Sequence, residues 1–211
     1  MKLLIFVSSA TVLISGCASN VAFDRTKYST IKAVTISEQI VTPTEGIHYN
    51  SQTTMLTAGL LGGGLAADVI ASAVSVPDKD RIAIAMIKND IRVEQILRNQ
   101  FAQELEKAGL FTISPTGRAD AEFRLSIIRY GLSAIPWKRD LRPVVGVRGQ
   151  LVTSDGSVLW SMTRPTYNHT DPDVPARLFE DYINNIELLR AGYTTACQIV
   201  ARDLVNNLKP Q

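Results

Sequence analysis

Apolar positions along the chain recur with two periods, and the change between them marks the elements. The most regular series runs through 182, 186, 189, 193, 197, 200, 204 and 208, in steps of three and four. From Leu178 onward it predicts one long amphipathic helix at the carboxyl-terminal end. Gly192 falls inside it and is expected to bend it or to admit a close neighbour. A second helical series, Ile84, Ile87, Ile91, Val93, Leu97, Phe101, Leu105 and Ala108, spans 79–108. It is expected to break near Asn89-Asp90, with Asp90 capping the second segment and Gly109 closing it. Elsewhere the period falls to two. Ala121, Phe123, Leu125 and Ile127 alternate, then Ile128, Tyr130 and Leu132 continue out of phase, which predicts a long strand bulged near Ile127-Ile128. Val145, Val147, Gly149 and Leu151 make one face of the next strand. Ser154-Asp155-Gly156-Ser157 reads as a two-residue hairpin turn into a partner carrying Val158, Trp160 and Met162, with Trp160 in the core. Ile31–Ser37 and Leu110–Ile113 are short β-branched or aliphatic strands, and 41–54 is loop.

Two segments fit neither period. Met55 to Val76 carries one charge, Asp68, and four glycines, three of them consecutive. As a transmembrane helix it is poor, because each glycine costs about 1 kcal/mol relative to alanine and an ionised Asp would sit near the middle. Three readings stay open: a Gly-rich helical hairpin that is buried or covered by a partner, an element touching or entering a membrane, and a mobile apolar loop. An exposed patch this apolar is unusual in a monomer. Leu60, Leu61, Gly62, Gly63, Gly64, Leu65, Val69 and Ile70 are therefore the candidate partner or membrane contacts.

The second is the start of the chain. Lys2 precedes an apolar run from Leu3 to Ile14, followed by Ser15, Gly16 and Cys17. The run is shorter than the ~20 residues that span a bilayer, and it reads as a secretory signal. Ile14-Ser15-Gly16-Cys17 resembles the bacterial lipobox. That resemblance implies cleavage before Cys17, a diacylglycerol thioether on its sulfur and acylation of its new amine. Two or more acyl chains anchor stably where one does not. Ala18 rather than Asp follows the cysteine, which in enterobacterial-type sorting implies the outer membrane, facing the periplasm. The expected organisation is a signal peptide over 1–16, a lipidated tether over 17–30 and a single domain over 31–211 with its insertion at 55–76.

Composition then removes whole classes of chemistry. The formal charge is +2 with the signs interspersed, and loss of Lys2 on processing lowers it to +1. A nucleic-acid binder would show a clustered basic surplus, so no nucleic-acid partner is expected. After Cys17 is used only Cys197 remains, on the carboxyl-terminal seam, where it is expected to be a buried apolar residue. His48 and His169 are read as loop residues, since a metal site needs three or four ligands. Glu104 and Glu106 face different sides of a helix and are solvated charges. Gly62-Gly63-Gly64 lacks the lysine of a phosphate-binding loop. No metal, cofactor or enzymatic activity is expected. Trp137-Lys138-Arg139 is either a solvated loop or a contact for lipid headgroups or a partner.

Three short patterns in the second half carry a further resemblance: Ala108-Gly109 before an aliphatic strand, Ala119-Asp120-Ala121 at a strand entry, and Gly156-Ser157-Val158-Leu159-Trp160 at the end of a hairpin. In this order they are similar to a group of bacterial envelope lipoproteins. The group includes periplasmic lipoproteins first noticed as meningococcal surface antigens, transport-auxiliary lipoproteins, the curli-secretion lipoprotein and the TolB amino-terminal domain. The resemblance implies an α+β fold, an α/β sandwich whose mainly antiparallel or mixed sheet packs against amphipathic helices. It also implies an accessory or assembly component of an envelope complex or transport system, with a protein partner and a homo-oligomer as an option. The alternatives are a module for lipid or apolar ligands and a subunit of an oligomeric secretion channel. Residues 55–76 lack the alternating polar face that membrane strands of such a channel need.

Overall fold

Strand β4, Ala121–Ala134, is the axis on which the fold is built. The computed structural model describes residues 20–50, 77–114, 119–166 and 171–209. On one edge β4 pairs antiparallel with β5, Leu141–Thr153, which in turn pairs antiparallel with β6, Val158–Pro165. The other edge of β4 is shared. Strand β1, Ala33–Ile36, runs parallel along its first residues, and β2, His48–Asn50, runs parallel along its last. A two-residue strand β3, Thr112–Ile113, lies outside β1. The result is a mixed six-stranded sheet packed against helices, an α+β fold as expected.

The helices are α1, Asp78–Lys88; α2, Val93–Ala108; α3, Phe179–Asn184; and α4, Ile186–Asn207. Helix α2 presents Val93, Leu97, Phe101 and Leu105, all buried, at the spacing read from the sequence. The carboxyl-terminal seam is likewise buried at Tyr182, Leu189, Tyr193, Cys197, Val200, Leu204 and Leu208. Each such aliphatic or aromatic residue contributes about 1.5–3 kcal/mol of burial. The Cys197 thiol is fully enclosed, and burial pushes its pKa far up, so it stays protonated. An aromatic line, Phe111–Phe123–Trp160 with Phe101 against Phe123, ties α2 to the sheet through edge-on contacts 5.1–6.0 Å apart.

Several boundaries differ from the sequence reading, each for a local reason. The α1–α2 break falls where expected, but Asp90 does not cap α2. Asp90 closes α1 instead, in a left-handed conformation at φ 50°. Its N–H donates to the Ile87 carbonyl and the Ile91 N–H donates back to Met86, while Ile91 and Met86 bury against the core. That is the Schellman arrangement with Asp in the place glycine usually takes. The buried face of α1 is Ile82 and Met86, not Ile84 and Ile87, which are 57% and 81% exposed. The final helix is two helices, interrupted at Asn185. The 41–54 loop contains β2. The β5–β6 connection has four residues rather than two, with Gly156 at φ 88° and the Asp155 carboxylate accepting from the Ser157 N–H. The bulge in β4 is at Ile128, between the paired Ile127 and Arg129.

Gly192 admits a close neighbour. A Cβ there would stand 2.6 Å from Cγ of Pro143 in β5. Pro143 is tolerated mid-strand because Leu141 and Val145 bond outward to Arg177 and Thr166, while the ladder to β6 begins only at Gly146. Its missing N–H therefore faces an edge that no strand covers. Gly192→Ala sets a helix gain of about 1 kcal/mol against this overlap. The ring is held in a strand and cannot swing aside, so overpacking of about 1–3 kcal/mol wins. Urea unfolding is expected to show a lower midpoint for Gly192→Ala, and a higher one when the same change is made on Pro143→Ala. A midpoint raised by Gly192→Ala alone would refute the contact.

Candidate functional site

Strand directions order three features along the sheet. Strand β4 runs toward its hairpin with β5, so the 135–140 loop marks that end. Strand β2 runs parallel to β4 and finishes there, with Asn50 beside Ser133. The amino-terminal chain pairs antiparallel with β6, Val21 exchanging backbone bonds of 2.7 and 2.9 Å with Ser161. Asn20 Oδ1 accepts from the Thr163 N–H at 3.1 Å, one step closer to the same end. Asn20–Val21 therefore runs away from the hairpin, level with Arg124, whereas β2 ends at the hairpin end, level with Ser133.

The described residues on either side of 51–76 are tied together by one cluster. The Tyr49 hydroxyl on β2 donates to Asp78 Oδ2 at 2.9 Å, at the start of α1. Arg81, one turn along α1, donates to both oxygens of Glu180 at 2.8 and 2.9 Å and to Asp78 at 3.3 Å. Its guanidinium lies 4.7 Å from the centre of the Phe179 ring, which meets Tyr49 edge-on at 5.8 Å. The Arg81 charge holds the Glu180 carboxyl below its ordinary range, and the Arg81 pKa is raised in return. The forked, planar geometry gives this pair direction as well as charge. Nothing in the sequence signals it, because Arg81 and Glu180 are 99 residues apart.

Beside the mooring, His48 is half-buried on β2. Burial, then the Arg129 and Lys79 charges, push its pKa below the usual histidine value. Among the described residues no group of three or more His, Cys, Asp and Glu could hold a metal ion, and no helix is long and apolar enough to cross a membrane. The exposed large apolar side chains include Ile84, Ile87, Val41 and Trp137. Cys17, His169 and the insertion residues Leu60, Leu61, Gly62, Gly63, Gly64, Leu65, Val69 and Ile70 lie outside the described residues. Of the expected tether, residues from Asn20 on lie against the domain: Phe23 stacks on Tyr28 and meets Phe111 edge-on.

The motif residues that carried the resemblance have structural work. Gly109 ends α2 at φ 59°. The Asp120 carboxylate accepts from the Ala33 and Lys32 N–H groups at 2.9 and 2.8 Å, pinning the start of β1 to the entry of β4. Those two bonds lower its pKa. Trp160 is fully buried, and its Nε1 donates to Asn207 at 2.9 Å.

No protein-family model matches the chain, and no curated protein matches it. Solved structures do, at low identity. A Xanthomonas campestris protein of the DUF330 family aligns over 83% of this chain and 81% of its own, with 11% identity and a TM-score of 0.44. The PelC dodecamer from Paraburkholderia phytofirmans aligns over 91% and 96%, with 16% identity and a TM-score of 0.41. Lipoprotein GNA1162 from Neisseria meningitidis aligns over 76% and 98%, with 16% identity and a TM-score of 0.26.

Proposed function

We propose that this protein is a lipid-anchored, periplasm-facing accessory or assembly component of a bacterial envelope complex or transport system. It acts by protein–protein contact rather than by catalysis. The observation that supports this reading most is the cluster that ties the two flanks of the apolar insertion together at the hairpin end of the sheet. Those flanks are held by Tyr49, Asp78, Arg81 and Glu180. Cys17 is four residues from Val21, a link of at most ~14 Å when extended. An acylated anchor on so short a link keeps the domain near the bilayer, where Leu60, Leu61, Gly62, Gly63, Gly64, Leu65, Val69 and Ile70 can meet a partner in or on the outer membrane.

Cys17→Ser is expected to move the protein from the salt-washed membrane pellet to the unanchored fractions of cells. The wild type should stay in the outer-membrane pellet and crosslink to a protein partner through the insertion. A Cys17→Ser chain that still pellets after a salt wash would remove the lipid anchor from the reading. Intact crosslinking after deletion of 55–76 would remove the insertion.

A further inference from the structure

The tip of the β4–β5 hairpin is built to expose one side chain. Ile135 and Asp140 close it through an N–H···O bond of 3.0 Å, and the Lys138 N–H donates to the Ile135 carbonyl at 3.1 Å. Pro136 occupies the second place of this turn and Trp137 the third, at φ 65°. That is a type II turn, whose third place favours glycine. A tryptophan there holds strained backbone, and no packing in the fold offsets it, since Trp137 is 95% exposed. Lys138 and Arg139 beside it are exposed, and neither has an ion pair among the described residues.

We propose that the Pro136–Arg139 tip is a membrane-contacting foot, seating Trp137 at the headgroup level of the phospholipid leaflet that holds the acyl anchor. Three observations select a lipid surface over a protein. The first is size. An indole supplies about 150–250 Å², whereas a stable protein interface takes ~800 Å² from each side. The described tip has no second large apolar side chain to enlarge the patch. An interfacial tryptophan needs no such area, because its ring sits among headgroups with its apolar body inward and its N–H in water. The second is charge: two exposed cations, Lys138 and Arg139, directly follow the ring and suit anionic phosphates near a charged bilayer. The third is direction. Asn20 lies on the hairpin side of Val21, so the described amino-terminal chain runs away from the tip.

This inference rests on Cys17 being lipidated, and that sets the attitude of the domain. Val21 is level with Arg124 through Ser161 and Gln150, so the tip lies about 30 Å farther along the strands. The link from Cys17 to Val21 covers at most ~14 Å of that. Anchor and tip meet one plane only when the strands lean well away from the bilayer normal. The tip then fixes the lean, and with it the direction in which the mooring of the insertion points.

The chain has two tryptophans, and Trp160 is fully enclosed, so Trp137 alone can report lipid contact. The test uses the mature, membrane-extracted protein in vesicles of phosphatidylethanolamine and phosphatidylglycerol whose acyl chains are brominated near the headgroup. The expected result is a blue shift and loss of the Trp137 emission relative to unbrominated vesicles, absent in Trp137→Phe and weakened in the Lys138→Glu/Arg139→Glu double variant. Anchored protein whose Trp137 emission stays water-like and unquenched overturns the foot while leaving the anchor standing. Protein that is not anchored in cells but is quenched on adding the same vesicles supports the foot and removes the lipid anchor. Protein neither anchored nor quenched overturns both. Protection of Trp137 by a crosslinked protein, without bromine quenching, assigns the tip to a partner and overturns the membrane contact.

Discussion

Gly131→Ala is expected to detach β2 from the sheet and to free the flank of the insertion. A Cβ at Gly131 would lie 1.7 Å from the His48 carbonyl oxygen and 2.6 Å from its carbon, both backbone atoms. No rotamer change relieves such an overlap. Gly131 also sits at φ 155°, where an L side chain is strained. With a β2 of only three residues, the cheaper response is for that strand to leave. The cost is roughly 2–5 kcal/mol, from overpacking and backbone strain together. Urea unfolding should show a lower midpoint, and hydrogen exchange should show loss of protection at His48–Asn50 with α2 and α4 protected as before. Wild-type protection at His48–Asn50 would refute the close approach. If the mooring presents the insertion, the same variant should also lose the partner crosslink while keeping its membrane anchor.

Trp160→Ala is expected to bring the whole domain close to unfolding. The indole is fully buried, meets Phe123 edge-on and fills the space over Gly149, where a Cβ would be 2.8 Å from its ring. Gly149 is side-chainless because Trp160 occupies its place. Removing the ring costs about 3–5 kcal/mol from the cavity, in a domain whose total is of the order of 5–15 kcal/mol. It also leaves Asn207 without the Nε1 donor. Trp160→Phe keeps much of the packing and is expected to lose only part of that stability. Far-UV circular dichroism with heating is the proper readout, because the emission left in Trp160→Ala comes from the exposed Trp137. A melting temperature within a few degrees of wild type would mean that β6 and α4 are not held together through this side chain.

The parts of the fold legible from sequence are those where one element alone records its neighbour. Val93, Leu97, Phe101 and Leu105 are all buried along one stripe, so their spacing gives the buried face directly. The bulge at Ile128 is readable because it shifts the phase of a long alternation. Helix α1 misleads because its apolar residues divide between two faces: Ile82 and Met86 meet the core, and Ile84 and Ile87 do not. Strand β2 is invisible for a different reason. Its residues are polar or aromatic, its pairing is parallel and made with residues more than 80 positions away, and its seat depends on the missing side chain of Gly131. The mooring of the insertion has the same character, with Tyr49, Asp78 and Glu180 brought together only by tertiary packing. Asp90 shows the limit of capping rules, since an Asp between two helices suits the start of one and the left-handed end of the other.

The two attachments, Val21 level with Arg124 and β2 level with Ser133, would bear a load from the hairpin end in the same way. Val21 and β2 both lie along the strands, so tension drawn from that end pulls each parallel to its neighbour. Hydrogen bonds loaded this way share the force, whereas a strand peeled from its end yields one bond at a time. Three residue pairs hold β2, a short lap joint, and the forked Arg81–Glu180 pair stands behind it on the far side of the insertion. A pull on the insertion is thus divided between the sheet and helix α3 before it reaches the core. The aromatic centre around Phe123 and Trp160 lies far down the strands from β2, beside the Val21 bridge, and bears the least of that pull.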